Sequence, residues 1–172
     1  MKKYAIIVAG GSGTRFGSTL PKQFVPLGGV PVLMRTIKAF ADYDRDINIV
    51  VALPSEYLTL WGDLCALRNF DVPHKVVEGG ANRFESVRNA LFAVNETECL
   101  VAVHDGARPL VSRQVIAAGF ETAARCGTAI PTVPVTDSIR QLDRNGSHNV
   151  SRESLVAVQT PQTFRVEILK EA

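Results

Sequence analysis

Three charged side chains, Arg15, Lys22 and Asp105, each stand just beyond an apolar run and are the residues best placed to do chemistry. The run Ala5-Ile6-Ile7-Val8-Ala9 opens into Gly10-Gly11-Ser12-Gly13-Thr14-Arg15-Phe16-Gly17. Such a loop lets backbone N–H groups approach phosphate oxygens unobstructed; it would equally serve as a plain turn from strand to helix. Its glycine spacing fails the dinucleotide GxGxxG pattern, and no GK[ST] follows at phosphate-loop spacing. Arg15 within the loop and Lys22 in Pro21-Lys22-Gln23 set two cations beside the cradle, a pairing suited to neutralising a triphosphate.

Asp105 follows the run Leu100 to His104 in His104-Asp105-Gly106-Ala107-Arg108-Pro109. A carboxylate at a strand end can hold Mg²⁺, with water and phosphate oxygens completing the shell, or it can simply shape a turn. His104 reads as a satisfied core histidine rather than a ligand or base, and neither His74 nor His148 forms a metal-ligand spacing with it. In Gly79-Gly80-Ala81-Asn82-Arg83-Phe84-Glu85-Ser86-Val87 the glycines can approach a flat base and Ser86 can hydrogen-bond to it. Taken alone, that segment is only a capped helix start.

The elements that must position these residues alternate. Tyr4 to Ala9, Ile47 to Leu53 and Leu100 to His104 read as buried strands, and His74 to Val77 as a short one. Pro31 to Tyr43 carries Leu33, Met34, Ile37 and Phe40 at helical spacing, with Pro31 suited to a first turn. Leu58 to Phe70 reads as a helix; Asn82 caps another with Val87, Ala90, Leu91 and Val94 on its apolar face, and Ser112 caps one running to about Arg125. Thr128 to Val135 is extended, with Pro131 and Pro134 pointing to an exposed edge. Alternating strands and helices predict an α/β fold, a mostly parallel sheet covered on both faces. Ligands of such sheets bind beyond the carboxyl ends of the strands, here after Ala9, Val77 and His104. Val135 to Leu142 and Val150 to Val158 flank Asn145-Gly146, a tight-turn signal that predicts a hairpin with too little apolar surface to stand alone.

A length of 172 residues fits one domain with a single core, and 46% hydrophobic with 21% charged residues is a globular balance. A net charge of +2 without a basic stripe argues against a nucleic-acid partner. No apolar stretch is long enough to cross a membrane. The run after Lys2 and Lys3 is short and ends in glycines, so a first strand fits better than a signal peptide. Cys65, Cys99 and Cys126 form no CxxC pair and read as free thiols, mostly buried, in a reducing cytoplasm.

Taken together these segments resemble the 2-C-methyl-D-erythritol 4-phosphate cytidylyltransferases, from Tyr4 through Phe164. The carriers are Ala9 to Arg15, Pro21-Lys22-Gln23, Gly79 to Arg83, His104 to Pro109 and Gln159-Thr160-Pro161-Gln162. The resemblance implies a single Rossmann-like nucleotidyltransferase domain over residues 1–172, with a protruding β-hairpin arm at 135–158. It implies transfer of CMP from CTP to a polyol phosphate, 2-C-methyl-D-erythritol 4-phosphate, with release of pyrophosphate in isoprenoid biosynthesis and with Mg²⁺ as cofactor. Arg15 and Lys22 would bind CTP phosphates and stabilise the transition state. Ala9, Gly10 and Gly11 would contact the nucleotide through backbone, Gly80 and Ser86 would read cytosine, and Asp105 would hold Mg²⁺ and touch substrate. Arg108 and Thr160 would help place the acceptor. The resemblance also implies a homodimer, in which Ser138 and Arg152 of the arm complete the partner's site and Arg152 orients the attacking phosphate.

Two departures accompany the resemblance. Members of the family continue past this chain's Glu171-Ala172 through a strand and a helix carrying a phosphate-contacting lysine, so a shortened form with impaired turnover is expected. Ser138 stands where threonine is common, and the hydroxyl is kept. Two other readings stand beside this one: a ribitol-5-phosphate cytidylyltransferase, and a non-catalytic nucleotide-binding module.

Overall fold

Strand β1 (Lys2–Val8) lies at the centre of a six-stranded sheet of order β5-β4-β1-β6-β12-β7. Its parallel neighbours are β4 (Asn48–Leu53) and β6 (Cys99–Asp105), and β5 (Lys75–Glu78) runs parallel to β4. A computed structural model describes residues 1–11 and 20–172 of the chain. The register sets Val8 beside both Ala52 and Asp105, so β1 and β6 end level with each other at one rim of the sheet.

The side-chain alternation of a strand explains the two-sided core. Ala5 and Ile7 face a layer formed by α1 (Val32–Tyr43), α2 (Leu58–Leu67) and α4 (Arg113–Cys126), where Leu33, Ile37, Phe40, Trp61, Ile116 and Phe120 are buried. Tyr4 and Ile6 face the opposite layer, where Ala90 and Leu91 of α3 (Arg83–Leu91) and Val166 of α5 (Val166–Glu171) cover them. Each fully buried Leu, Ile or Phe contributes about 1.5–3 kcal/mol through loss of water contact, so the central strands are also the best anchored. Pro31 stands just before the first residue of α1. The predicted caps are present: the side chains of Asn82 and Ser112 accept hydrogen bonds from the backbone N–H groups of Glu85 and Val115.

Two elements differ from the sequence expectation. The hairpin pairs β9 (Ile139–Asp143) with β10 (Gly146–Val150), and Asp143 sits opposite Gly146. Arg144 and Asn145 therefore form the turn, while Gly146, at φ 135°, begins the returning strand. The return arm was expected to run from Val150 to Val158. Instead β11 (Val156–Val158) pairs with β8 (Thr132–Pro134), making a second ribbon before the hairpin. The other difference is β12 (Gln162–Arg165), which enters the sheet antiparallel between β6 and β7 (Thr128–Ala129) and leaves β7 at the edge. A small hairpin, β2 (Pro26–Leu27) with β3 (Val30–Pro31), precedes α1. Of the three free cysteines only Cys99 is buried; Cys65 is half-buried and Cys126 exposed. No helix among the described residues is long and apolar enough to cross a membrane.

Candidate active site

The parallel strands β1, β5 and β6 deliver their carboxyl ends to one cavity of about 670 Å³, within the usual range for small-molecule sites. Ala9, Gly10 and Gly11 border it from the end of β1, Gly80 and Ser86 from the β5–α3 junction, and Asp105 from the end of β6. Lys22 borders it from a single 3-10 turn, Lys22–Phe24. Seven of the residues expected in the site thus share one space. Arg15 lies outside the described residues.

Close approach explains two glycines here. A Cβ on Gly80 would fall 2.2 Å from Cβ of Glu85, and one on Gly106 would fall 2.9 Å from Cβ of Ala9 and 3.2 Å from the Val8 carbonyl oxygen. Gly80 lets the start of α3 fold against the cavity wall, and Gly106 lets the turn after Asp105 pack under the end of β1. Thr36 of α1, fully buried, fixes that turn by donating to the Gly106 carbonyl at 2.9 Å.

Ser86 is buried in the cavity wall. Its hydroxyl donates to the Asn82 carbonyl at 2.9 Å and accepts from the Gly80 N–H at 3.1 Å. A hydroxyl has one proton and two lone pairs, so Ser86 has a single lone pair left and can meet an incoming group only as acceptor.

Asp105 is the junction of a polar network. Its Oδ2 accepts from Nε of Arg108 at 2.9 Å, and its Oδ1 lies 3.5 Å from Nε of Arg83. Arg108 also donates through Nη1 to Oε1 of Gln159 at 2.7 Å, and the Asp105 N–H faces the Thr160 hydroxyl at 3.4 Å. Arg108 and Thr160, both expected to handle the acceptor, thus adjoin the carboxylate expected to hold a metal. Ser138 and Arg152 are not brought to the cavity within this chain. Both are exposed on the arm segment, and Arg152 donates to the Thr136 carbonyl at 2.7 Å.

Residues 4–172 match the 2-C-methyl-D-erythritol 4-phosphate cytidylyltransferase family. The chain belongs to that family. A cytidylyltransferase of that name from Phocaeicola vulgatus is 48% identical over 172 residues, which is 100% of this chain and 78% of the relative. One from Bacteroides thetaiotaomicron is 49% identical over the same shares. Among solved structures, the Francisella tularensis cytidylyltransferase superposes with a TM-score of 0.80 at 30% identity, over 99% of this chain and 76% of that one. The Thermus thermophilus enzyme superposes with 0.74 at 34%, over 99% and 74%. The expected α/β cytidylyltransferase fold, a mostly parallel sheet flanked by helices, is the one observed.

Two residues that type and spacing did not single out join the cytidylyltransferase cavity. Gln23 is buried and donates from Nε2 to the carbonyls of Ala9 at 2.7 Å and Gly11 at 3.3 Å, tying the 3-10 turn that carries Lys22 to the start of the glycine loop. Arg83, first residue of α3, lines the cavity and faces Asp105. The available signal for Arg83 was its place directly after the capping Asn82, where α3 meets the strand ends. Nothing local marked Gln23, because its partners are main-chain atoms more than ten positions away.

A larger cavity of about 920 Å³ lies between α3, β12 and α5, with Phe84, Leu91, Phe92, Phe164 and Leu169 in its wall. Among the described residues its charged side chains are Arg83, Arg88 and Lys170, with no carboxylate side chain, whereas the smaller cavity has Asp105 beside Lys22.

Proposed function

We propose that this protein transfers CMP from CTP to 2-C-methyl-D-erythritol 4-phosphate, giving 4-diphosphocytidyl-2-C-methyl-D-erythritol and pyrophosphate. The observation that carries this reading is the meeting of glycine backbone, Lys22, Ser86 and Asp105 in one cavity at the strand ends of a chain from this family. The same reading takes residues 1–172 as one nucleotidyltransferase unit, working in the cytoplasm as a homodimer joined through the arm.

The chemistry needs no general base. An acceptor phosphate is already anionic at neutral pH; one of its oxygens attacks the α-phosphorus of CTP in line, forming a P–O bond as the bond to the β-phosphate oxygen breaks. Pyrophosphate carries the electron pair away. Two anions repel as they approach, so the protein contributes position and positive charge. Lys22, with Arg15, holds the triphosphate and offsets charge on the leaving group. The backbone at Ala9 to Gly11 lies against the nucleotide, and Gly80 and Ser86 receive the base. The one lone pair left on Ser86 suits the amino group of cytosine, a donor, and not the carbonyl that uracil presents there. Arg108 and Thr160 hold the acceptor, while Ser138 and Arg152 reach the partner's site, where Arg152 orients the attacking phosphate.

Among the described residues no three His, Cys, Asp or Glu side chains gather to hold an ion on their own. A single carboxylate facing a triphosphate site nevertheless fits Mg²⁺, which takes one or two carboxylates and fills its shell with water and phosphate oxygens. Asp105 would hold it through Oδ1, whose ion-pair contact with Arg83 is the longer of the two at 3.5 Å. When bound, Mg²⁺ supplies charge neutralisation on the phosphate oxygens.

Pyrophosphate release from CTP, measured with 2-C-methyl-D-erythritol 4-phosphate and separately with ribitol 5-phosphate, tests the reading. Release with the erythritol acceptor is expected. Release with ribitol phosphate alone would reassign the acceptor, and release with neither would leave only nucleotide binding.

A further inference from the structure

The geometry points to His104 as a positioning residue that turns the Thr160 hydroxyl into a pure hydrogen-bond acceptor, so that Thr160 takes a hydrogen bond from a hydroxyl of the acceptor polyol rather than giving one to its phosphate. The polyol acceptor is that of the function proposed above, and the inference rests on that reading.

His104 is fully buried, the last residue of β6 before Asp105, and its ring packs edge-to-face with Phe40 of α1 at a centroid distance of 5.2 Å. Its Nε2 lies 3.0 Å from the Arg108 carbonyl oxygen, and its Nδ1 lies 2.9 Å from Oγ1 of Thr160. A carbonyl oxygen can only accept, so Nε2 carries a proton. The charged groups around the ring are Asp105, Arg108 and Arg83; α1 presents the uncharged Phe40. The ring is fully buried and its two nitrogens meet only uncharged groups, a carbonyl and a hydroxyl, a setting that holds the neutral imidazole. A neutral ring protonated at Nε2 has a bare Nδ1, which can only accept. The Thr160 proton is therefore directed inward, onto Nδ1.

The consequences fall on substrate choice. Of the two lone pairs on Oγ1, one faces the Asp105 N–H at 3.4 Å, and the other remains for a ligand. A phosphate oxygen that carries no proton has nothing to donate to it, whereas a polyol hydroxyl does. His104 also ties the Arg108 carbonyl, so one ring sets both sides of the acceptor pocket, Thr160 directly and the Asp105–Arg108 turn through its backbone.

Nitrogen-resolved NMR of the histidine rings in the unmodified protein at neutral pH should show His104 protonated at Nε2 and bare at Nδ1. A proton on Nδ1 would overturn the proposal whether or not the protein turns over, and absence of turnover with the expected tautomer would count against the function alone. In kinetics, His104→Phe keeps the ring and loses both hydrogen bonds. It should raise KM for the acceptor about tenfold, the scale of one polar contact, and leave KM for CTP within about twofold. His104→Asn, which offers an acceptor near the Nδ1 position, should recover most of that loss. Thr160→Val should raise the acceptor KM similarly, and adding His104→Phe to it should cost little more, because both remove the same contact. Among acceptors lacking one hydroxyl each, one should lose the Thr160→Val penalty. Multiplying effects in the double variant, a fall in kcat with acceptor KM unchanged, or an equal Thr160→Val penalty for every acceptor would each overturn it.

Discussion

The side-chain amide of Gln23 lies 2.7 Å from the carbonyl oxygen of Ala9, joining the residue after Lys22 to the residue just past the first strand. Because Gln23 is buried, that bond is shielded from water, and its second contact, to the Gly11 carbonyl, reaches into the start of the glycine loop. The cation and the backbone cradle are thereby held as one unit rather than as two independent segments.

Gln23→Ala leaves two main-chain carbonyls without this partner and opens space beneath the loop. The expected cost is about 1–3 kcal/mol of stability, with a rise in KM for CTP. Denaturant unfolding and steady-state kinetics on the same preparation check both. Gln23→Glu, which removes the donor at nearly constant volume, should be no better than alanine.

Lys22→Ala should lower turnover by ~10²–10³-fold, the usual scale for loss of one preorganised charge-stabilising group. Asp105→Asn should lower turnover and also shift the dependence on Mg²⁺ to higher concentration. Metal titrations of turnover distinguish the two variants, since only the second should move the midpoint. Near-native turnover in both, with folding intact, would contradict the roles given to them.

Stability should fall with acid in two stages. Burial sets the His104 pKa below the ordinary 6.5, so under mildly acidic conditions the unfolded chain takes up a proton that the folded chain refuses. The unfolding free energy therefore declines as pH falls below 6.5 and levels off below the folded pKa. Glu96 acts at lower pH: hydrogen bonds from Lys2 and Tyr4 hold its carboxyl at about 2 against an ordinary 4.5. Its contribution is complete above 4.5 and is lost as pH falls toward about 2. Melting temperature against pH should show both declines, with His104→Asn removing the first and Glu96→Gln reducing the second. A flat profile between pH 6.5 and 4.5 would contradict the burial of a neutral His104.

Ser138 and Arg152 sit on the arm, outside the cavity of their own chain, and sharing of sites between two copies accounts for their role in the reading proposed above. Mixing Lys22→Ala subunits with Arg152→Ala subunits should then restore activity, because one site of the mixed dimer carries both lesions and the other carries none. If Arg152 served its own chain, every site would keep one lesion and mixing would restore nothing.

Much of this was legible in the sequence because the signals were local. The buried runs around Ile6, Val50 and Val101, and the capping side chains of Asn82 and Ser112, fixed strands and helix starts within a residue or two. The glycine loop, Lys22, Ser86 and Asp105 could be assigned to one site because parallel strands end on one side. Long-range pairing was less legible. Gln162–Arg165 has no apolar run, and only its place between β6 and β7 makes it a sheet strand. The signal at Asn145-Gly146 marked the hairpin but set its turn one residue late, and pairing of Val156–Val158 with Thr132–Pro134 depends on residues far upstream. Gln23 and Arg83 were missed for the same reason, their partners being set by the fold and not by spacing.

Transfer of CMP carries the α-phosphate of CTP into the product, whereas hydrolysis leaves it in free CMP. CTP labelled at that phosphate, incubated with the protein, Mg²⁺ and 2-C-methyl-D-erythritol 4-phosphate, should yield label in a diphosphate joining cytidine to the polyol, with unlabelled pyrophosphate released in equal amount. Label remaining in CTP, or appearing only in free CMP, would contradict CMP transfer to the polyol.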